Sequence, residues 1–413
     1  MGSVGKVGKM GLKVLQISTV CGSGSVGRIV VDIYRALERN GDEGLIAYGR
    51  QGAPEGVRAF RFGTGWDMGV HVLSTFFRGE HGFASKGQTR RLIERIRKWD
   101  PDVIQLHNIH GFVLQVELLF AYLKEAKKPV VWTLHDGWAY TGHCAFYDYT
   151  GCRGFERGCK ECTEYQKVYP YALFRNRTEQ NYIRKRAVFT GVQNLTVVTP
   201  SRWLANEVKR SFLKEYPVKV IPNGVDQEVF VPLEGTLREQ LRLMGKFVIL
   251  GVANVWERRK GLSYFMELAG RLPEDMQIIL IGLSKRQLQK LPKNVMGIRR
   301  TASAGELAEY YSMSDVFVNV TLEDNFPTTN LEALSCGTPV ITFATGGSPE
   351  SLDKSCGRVV PKGDVEALIK AIILEQKEPK KREDCLRQAG KYEKYDRFLE
   401  YIRLYHSLAG QGE

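Results

Sequence analysis

Three stretches of this chain carry side chains that could handle a phosphorylated, hydroxyl-rich ligand. The first runs from Glu323 to Val340, EDNFPTTNLEALSCGTPV. It follows a strand-like run (Asp315–Val320), opens with acids and passes through Asn325, Phe326 and Pro327. It then turns helical from about Thr329, stops at Gly337 and meets another strand, Pro339 to Phe343. A loop that leaves the carboxyl end of a strand and feeds a helix N-terminus is where open α/β sheets bind ligands, anions above all. Asp324 and Glu332 stand eight positions apart there, and an ionised carboxylate accepts two or more hydrogen bonds, which suits a polyhydroxylated ligand. An acid in that place also serves as a plain helix cap. The second stretch, Arg258-Arg259-Lys260, sits between a strand (Phe247–Val252) and a helix (Leu262–Gly270). Cations oppose the macrodipole at a helix N-terminus, so three in a row imply an anion among them, a diphosphate held by charge-assisted contacts. The third is a set of polar residues after buried strands in the first half. Asn108 and His110 follow Val103–Leu106, and His135-Asp136 follows Val130–Leu134. These read as the lining of a crevice at the carboxyl ends of a parallel sheet.

Weaker signals surround these. Gly22-x-Gly24-x-x-Gly27 has dinucleotide-fingerprint spacing, but its glycines start four residues after the strand Lys13–Ser18. The second strand, Leu45–Tyr48, ends at Gly49-Arg50 where a ribose-binding acid belongs. Arg50 suits NADP; the other use of such glycines is close backbone approach to a phosphate or sugar. Asp100-Pro101-Asp102 precedes its strand and is a turn at the wrong end for a site. Cys144, Cys152, Cys159 and Cys162 fall within nineteen residues. A chain without a secretion signal disfavours disulfides, so the readings are a structural zinc site, with His143 as a substitute ligand, or free thiols.

These groups need elements to position them, and 413 residues are too many for one ordinary core. A strand–helix–strand pattern opens the chain, with a helix from about Arg28 to Asn40, and restarts at Phe247. The turn Asn223–Asp226 and the loose stretch to Leu233 mark the boundary. We expect an N-terminal Rossmann-like domain over 1–221, with a Cys-containing insertion at about 141–165. A C-terminal one spans 222–392, and a final helix, 393–413, carries the apolar stripe Phe398, Tyr401, Ile402, Tyr405 and Leu408. Residues 51–85 give no element. The leader MGSVGKVGKMGLK has no apolar core, and no run reaches the ~18 apolar residues of a spanning helix. The expected compartment is the cytoplasm. The net charge of +13 and pI of about 9.3 fit nucleic acid, an anionic membrane surface or a phosphorylated substrate. The absence of an RNA-binding or helix-turn-helix signature argues against nucleic acid.

Taken together, these motifs resemble the retaining glycosyltransferases of family 4, which have the GT-B fold. The markers are the Gly-rich first turn, His135-Asp136, Pro200-Ser201, Ile221 to Asp226, Arg259-Lys260-Gly261, Asp324 with Glu332-Ala333-Leu334, Gly337 to Val340, and Gly346-Gly347-x-Pro349-Glu350. They cover nearly the whole chain after about residue 12. TLHDGWAYTGHC and the cysteine insertion resemble a branch from bacterial capsule and exopolysaccharide pathways.

The resemblance implies two Rossmann-like domains facing a cleft, the last helix crossing back to the first. It implies transfer of a hexose-type sugar from a nucleoside diphosphate sugar, UDP favoured over GDP, to a saccharide or lipid-linked saccharide. No cofactor or metal is implied for the chemistry. The basic clusters of the N-terminal half, not the resemblance, suggest peripheral association with the inner face of the membrane. Arg259 and Lys260 would hold the diphosphate, Glu332 the ribose and Asp324 the sugar hydroxyls. Asn325, Phe326 and Pro327 would lie beside sugar and phosphate, His135 would meet the sugar across the cleft, and Gly24 would admit the ligand. Asn108, His110 and Asp136 would face the acceptor. Two departures stand out. Asp324 is one methylene shorter than the family's Glu, with Glu323 as neighbouring alternative. Asn254 replaces a frequent phosphate-binding Arg, leaving Arg258 or Arg259 to compensate. The stretch around Arg300 would meet the base. The rival readings are a GT-B sugar-nucleotide epimerase, an NADP-binding oxidoreductase, and a non-catalytic metal-stabilised interaction module.

Overall fold

The computed structural model describes residues 11–410. The leader up to Met10 and the last three positions of the expected final helix lie outside the described residues.

Two all-parallel sheets carry the chain. The first contains β1 (Lys13–Val20), β2 (Glu43–Arg50), β3 (Ala59–Arg61), β4 (Val103–Leu106), β5 (Val130–Thr133), β6 (Leu195–Thr199) and β7 (Val218–Val220). Its order is β3-β2-β1-β4-β5-β6-β7. The second contains β8 (Phe247–Val252), β9 (Met276–Ile281), β10 (Val295–Ile298), β11 (Val316–Asn319), β12 (Val340–Phe343) and β13 (Gly357–Val360), in the order β10-β9-β8-β11-β12-β13. β4, β5, β6 and β12 are buried at every residue. That burial is why they read as unbroken apolar runs rather than alternating ones. In each sheet the chain reverses direction beside its first strand, between β1 and β4 and between β8 and β11. Crevices open at the carboxyl ends of such strand pairs.

The final helix, Lys394–Ala409, packs on the first sheet and not on the second. Phe398, Tyr401, Ile402 and Tyr405 are buried against Val14, Ile29, Ile33, Leu37, Val103, Val131 and Val198. Each such side chain contributes about 1.5–3 kcal/mol of burial. Thr133 hydroxyl and Tyr401 hydroxyl lie 3.4 Å apart, and His406 Nε2 lies 3.0 Å from Asp42. The chain therefore crosses between the sheets twice, and the crossings touch. Val225 N–H donates to Tyr392 O at 2.8 Å and Lys394 N–H to Val225 O at 3.0 Å. A Cβ on Gly224 would stand 2.4 Å from Lys394 Cα, so the Asn223-Gly224 turn has to be glycine.

Two sequence expectations change. The first helix starts at Gly24, not near Arg28, so Gly27 lies inside it. A Cβ on Gly27 would come within 3.1 Å of Gly22 N, which is why small residues continue past the turn. Residues 51–85 are not featureless: they hold β3 and a helix, Gly65–Arg78, opened by a Thr64/Asp67 capping box. Arg258–Lys260, between β8 and the next helix, forms a single 3₁₀ turn.

Candidate active site

The basic turn after β8 and the acidic loop after β11 meet at the second sheet's reversal point. Gly261 makes this approach close: its φ is +77° and a Cβ there would stand 2.3 Å from Val320 O. Lys260 Nζ donates to Asp324 Oδ2 at 2.5 Å. Arg259 donates to Glu323 O at 2.6 Å and to Glu257 Oε1 at 2.7 Å. Burial alone would raise the Asp324 carboxyl, but Lys260 and Arg259 hold it below the usual carboxylate range. The aspartate is thus ionised beside two cations. Gly346 and Gly347 press on the same loop; their missing Cβ atoms would lie 2.0 Å from Asp324 O and 1.9 Å from Asn325 O.

Glu332 lies on the following helix, Thr328–Ser335, and is 6% exposed. Burial raises its carboxyl, opposed by Arg28 from the other domain and by hydrogen bonds from Tyr311 and Thr328. Tyr311 hydroxyl donates to Glu332 Oε2 at 3.1 Å, fixing the carboxylate from behind. Phe326 and Pro327 are buried, and Phe326 O accepts Asn223 Nδ2 at 3.1 Å. Asn254, Arg258 and Arg300 are exposed at the strand tips of this half. Neither Arg258 nor Arg300 makes an ion pair among the described residues.

The facing half supplies a fixed proton order. Gln16 Nε2 donates to Val30 O at 3.1 Å, which leaves Gln16 Oε1 facing His107 Nε2, also at 3.1 Å. His107 therefore carries its proton on Nε2. Burial holds His107 well below its ordinary pKa, hence neutral. Its Nδ1 is a bare acceptor, and His135 Nε2, 3.2 Å away, is the donor. Burial likewise brings His135 down to about 4, against the pull of Asp136. His135 is thus a neutral ring in one tautomer, with Nδ1 left as its acceptor. Asn325 Nδ2 donates to His135 O, a direct bridge across the cleft. His110 Nε2 lies 3.2 Å from Asp136 Oδ2, and Trp138 N–H donates to Asp136 at 3.0 Å. These contacts outweigh burial and hold Asp136 below its usual pKa. His107, Asn108, His110, His135, Asp136 and Trp138 line a chamber of about 10 Å³, the size of one water. Gly24 has φ +66° and nothing within 4 Å of the place a Cβ would take, so the backbone there borders open space.

Sequence reasoning missed what Glu323 does. It does not face the same direction as Asp324: it is 1% exposed, and its carboxylate accepts Tyr147 N–H and Tyr149 N–H from the insertion, both at 3.1 Å. Arg259 stacks on Phe146 at 3.9 Å, and Lys362 reaches Asp148 at 3.1 Å. The insertion is therefore a strap from the first domain onto the donor-side loops. Its base is anchored by buried groups. Tyr147 hydroxyl donates to Glu207 at 2.8 Å, and Lys185 Nζ donates to Trp138 O and Thr141 O at 2.8 and 3.1 Å. Burial brings Lys185 down to about 7.

The four cysteines come into one neighbourhood, with Cys152, Cys159 and Cys162 all near Cys144. Among the described residues no group of three His, Cys, Asp or Glu side chains is arranged to hold a metal ion. Cys159 Sγ instead accepts Gly142 N–H at 3.1 Å and Cys152 Sγ accepts Gly154 N–H at 3.3 Å. Cys144 is sealed in the core, where burial raises its thiol. His143 is also buried, and burial brings it down to about 4.

Two sheets with this topology, facing across such a cleft, define a GT-B architecture, and the comparisons with known proteins agree. Residues 26–229 match the model "Glycosyltransferase Family 4" and residues 246–374 match "Glycosyl transferases group 1". The chain belongs to the family 4 glycosyltransferases. It is 28% identical over 280 residues to an Escherichia coli protein named for colanic acid biosynthesis, the glycosyl transferase WcaC, covering 65% of this chain and 66% of that one. It is 31% identical over 180 residues to the alpha-galactosylglucosyldiacylglycerol synthase of Streptococcus pneumoniae, covering 38% of this chain and 46% of that one. The chain thus spans about two thirds of the first relative's length and under half of the second's. Among solved structures, the sucrose-phosphate synthase of Thermosynechococcus elongatus superposes with TM-score 0.71 at 18% identity, over 96% of this chain and 99% of that one. HepE of Anabaena in complex with UDP gives TM-score 0.67 at 16% identity, over 96% and 100%. These likenesses do not support the oxidoreductase or epimerase readings. No helix among the described residues is long and apolar enough to cross a membrane.

Proposed function

We propose that this protein transfers a hexose, with retention of anomeric configuration, from a nucleoside diphosphate sugar to a saccharide or lipid-linked saccharide in bacterial polysaccharide synthesis. The observation that carries the reading is the junction of Lys260, Arg259 and Asp324 at the second sheet's reversal point, with Glu332 behind it. A diphosphate arriving there finds two cations already placed, and these stabilise the charge that builds on the leaving group in the transition state. No metal is needed in this scheme to supply that charge. Glu332, held by Tyr311, accepts the ribose hydroxyls, and Asp324 and Asn325 take the sugar. Neutral His135 meets the sugar from the opposite domain. Front-face transfer then needs orientation more than an enzymic nucleophile. UDP is favoured because HepE, of the same fold, binds it. The name WcaC suggests an exopolysaccharide pathway, and the streptococcal glycolipid synthase suggests a lipid-borne acceptor.

Thermal denaturation with UDP, GDP and NADP tests this on wild type, Glu332→Ala and Lys260→Ala. A ligand at about a hundred times its Kd adds roughly 2.7 kcal/mol of stability. A shift with one nucleoside diphosphate, lost in both variants, is the expected result. A shift with NADP alone overturns the proposal.

A further inference from the structure

The helix Gly65–Arg78 exposes its apolar side. Trp66, Val70, Leu73 and Phe77 are 82%, 47%, 57% and 54% exposed. Their spacing of four, three and four puts them on one face, opposite the buried His71 and Thr75. The neighbouring loop extends the patch. Phe77 and Phe174 stack at 5.1 Å, Leu173 N–H donates to Phe76 O at 3.0 Å, and Tyr171, Leu173 and Phe174 are exposed as well. Scattered apolar residues on a surface need no explanation, but seven in one continuous patch do.

Its rim is basic. Arg78 ends the helix, Arg175 packs beside Gly79, and Lys86 and Arg90 open the next helix; all four are exposed. None of the four has an ion pair among the described residues. The nearby acids are occupied: Asp67 faces Arg91 at 3.5 Å and Glu80 pairs with Arg177. An aromatic-rich apolar face ringed by unpaired cations matches the headgroup region of an anionic bilayer, with rings at the interface and cations on lipid phosphates.

The patch also sits behind the facing half of the cleft. His71 Nε2 accepts Gly82 N–H at 3.1 Å, and His71 packs edge-on to Phe112 and His81. His81 in turn packs on His110, which holds Asp136. We propose that the Gly65–Arg78 helix and the Tyr171–Arg175 loop form a docking surface for an anionic phospholipid bilayer, seating the strand tips of the first domain at the membrane from which a lipid-linked acceptor is drawn. This rests on the proposed lipid-borne acceptor and adds the face that meets the lipid.

The test is co-flotation with vesicles of phosphatidylcholine alone and of phosphatidylcholine with phosphatidylglycerol, with the UDP thermal shift measured in parallel. Wild type should float with the charged vesicles, stay behind with the neutral ones, and detach as salt rises. Trp66→Ser combined with Leu73→Ser and Phe77→Ser should lose flotation and keep the UDP shift. Arg78→Gln with Arg175→Gln should weaken binding by about fivefold per arginine. Failure to float, or flotation unaffected by both variants, overturns the docking surface while an intact UDP shift leaves the donor site standing. Absence of both a UDP and a GDP shift in wild type overturns the donor site alone. A wild-type dimer that the triple variant converts to a monomer puts a second copy on this face and overturns the proposal.

Discussion

Replacing Glu323 with glutamine should remove a defined pH dependence from the protein's stability. Glu323 is buried where the donor-side loop meets the strap. Burial raises its carboxyl from the ordinary 4.5 to about 7, with the Tyr149 and Tyr147 amides and Arg259 pulling the other way. The folded protein thus keeps this proton at pH values where the unfolded chain has lost it. The stabilisation is complete below about 4.5 and is lost as pH rises through about 7. At ~1.4 kcal/mol per tenfold change in proton affinity, that interval is worth about 3 kcal/mol. The glutamine variant has no proton to lose. It carries a cost of about 1–3 kcal/mol because its amide nitrogen faces a backbone N–H, but that cost is the same at every pH. The informative quantity is therefore the wild-type-minus-variant stability at about pH 5, less the same difference at about pH 8. Urea titration followed by tryptophan fluorescence gives both. The expected value is about 3 kcal/mol in favour of wild type at the lower pH. A difference that does not move with pH refutes the reasoning, because Glu323 would then bind no extra proton in the folded state.

Tyr311→Phe should raise the donor KM about tenfold or more with kcat less affected, since a hydrogen bond to a charged group is worth about 1.5–3 kcal/mol; steady-state kinetics with the nucleotide sugar checks it. His107→Leu frees the His135 ring and should lower kcat while leaving the nucleotide thermal shift intact, and an unchanged kcat would show that the proton order set by Gln16 is idle. All eight cysteines are unpaired, so denatured protein should titrate eight thiols and native protein fewer. Stoichiometric zinc bound by Cys144, Cys152, Cys159 and Cys162 would show that the open arrangement of their sulfurs closes on a metal.

Much of this was legible in the sequence because parallel strands buried on both faces leave unbroken apolar runs, and the polar residues just after them fall at one end of the sheet. His135, Asp136, Arg259, Lys260 and Asp324 stand out that way as candidates, and the structure brings the last three together. What could not be read depended on contacts between distant residues. Glu323 and Asp324 are adjacent acids in sequence, yet one turns to the strap and the other to Lys260. Gln16 is one polar residue inside a strand, and only the pairing of β1 with β4 puts it beside His107. The Gly65–Arg78 helix escaped notice because its apolar residues face outward and its buried ones are His71 and Thr75, reversing the usual pattern. The capping box at Thr64 and Asp67 was the signal that could have found it.

The final helix also has a consequence for how the protein is made. The sheet face built from Val14, Val103, Val131 and Val198 is covered by Phe398, Tyr401, Ile402 and Tyr405, residues that are made only after the whole second sheet. At 5–20 residues per second, synthesis of the intervening segment takes on the order of ten seconds or more. Throughout that interval the nascent N-terminal half carries an open apolar surface, although all seven of its strands are already made. The first domain is thus finished by a segment made after the second, and a stop codon before Lys394 would leave the first domain, not the second, without its cover.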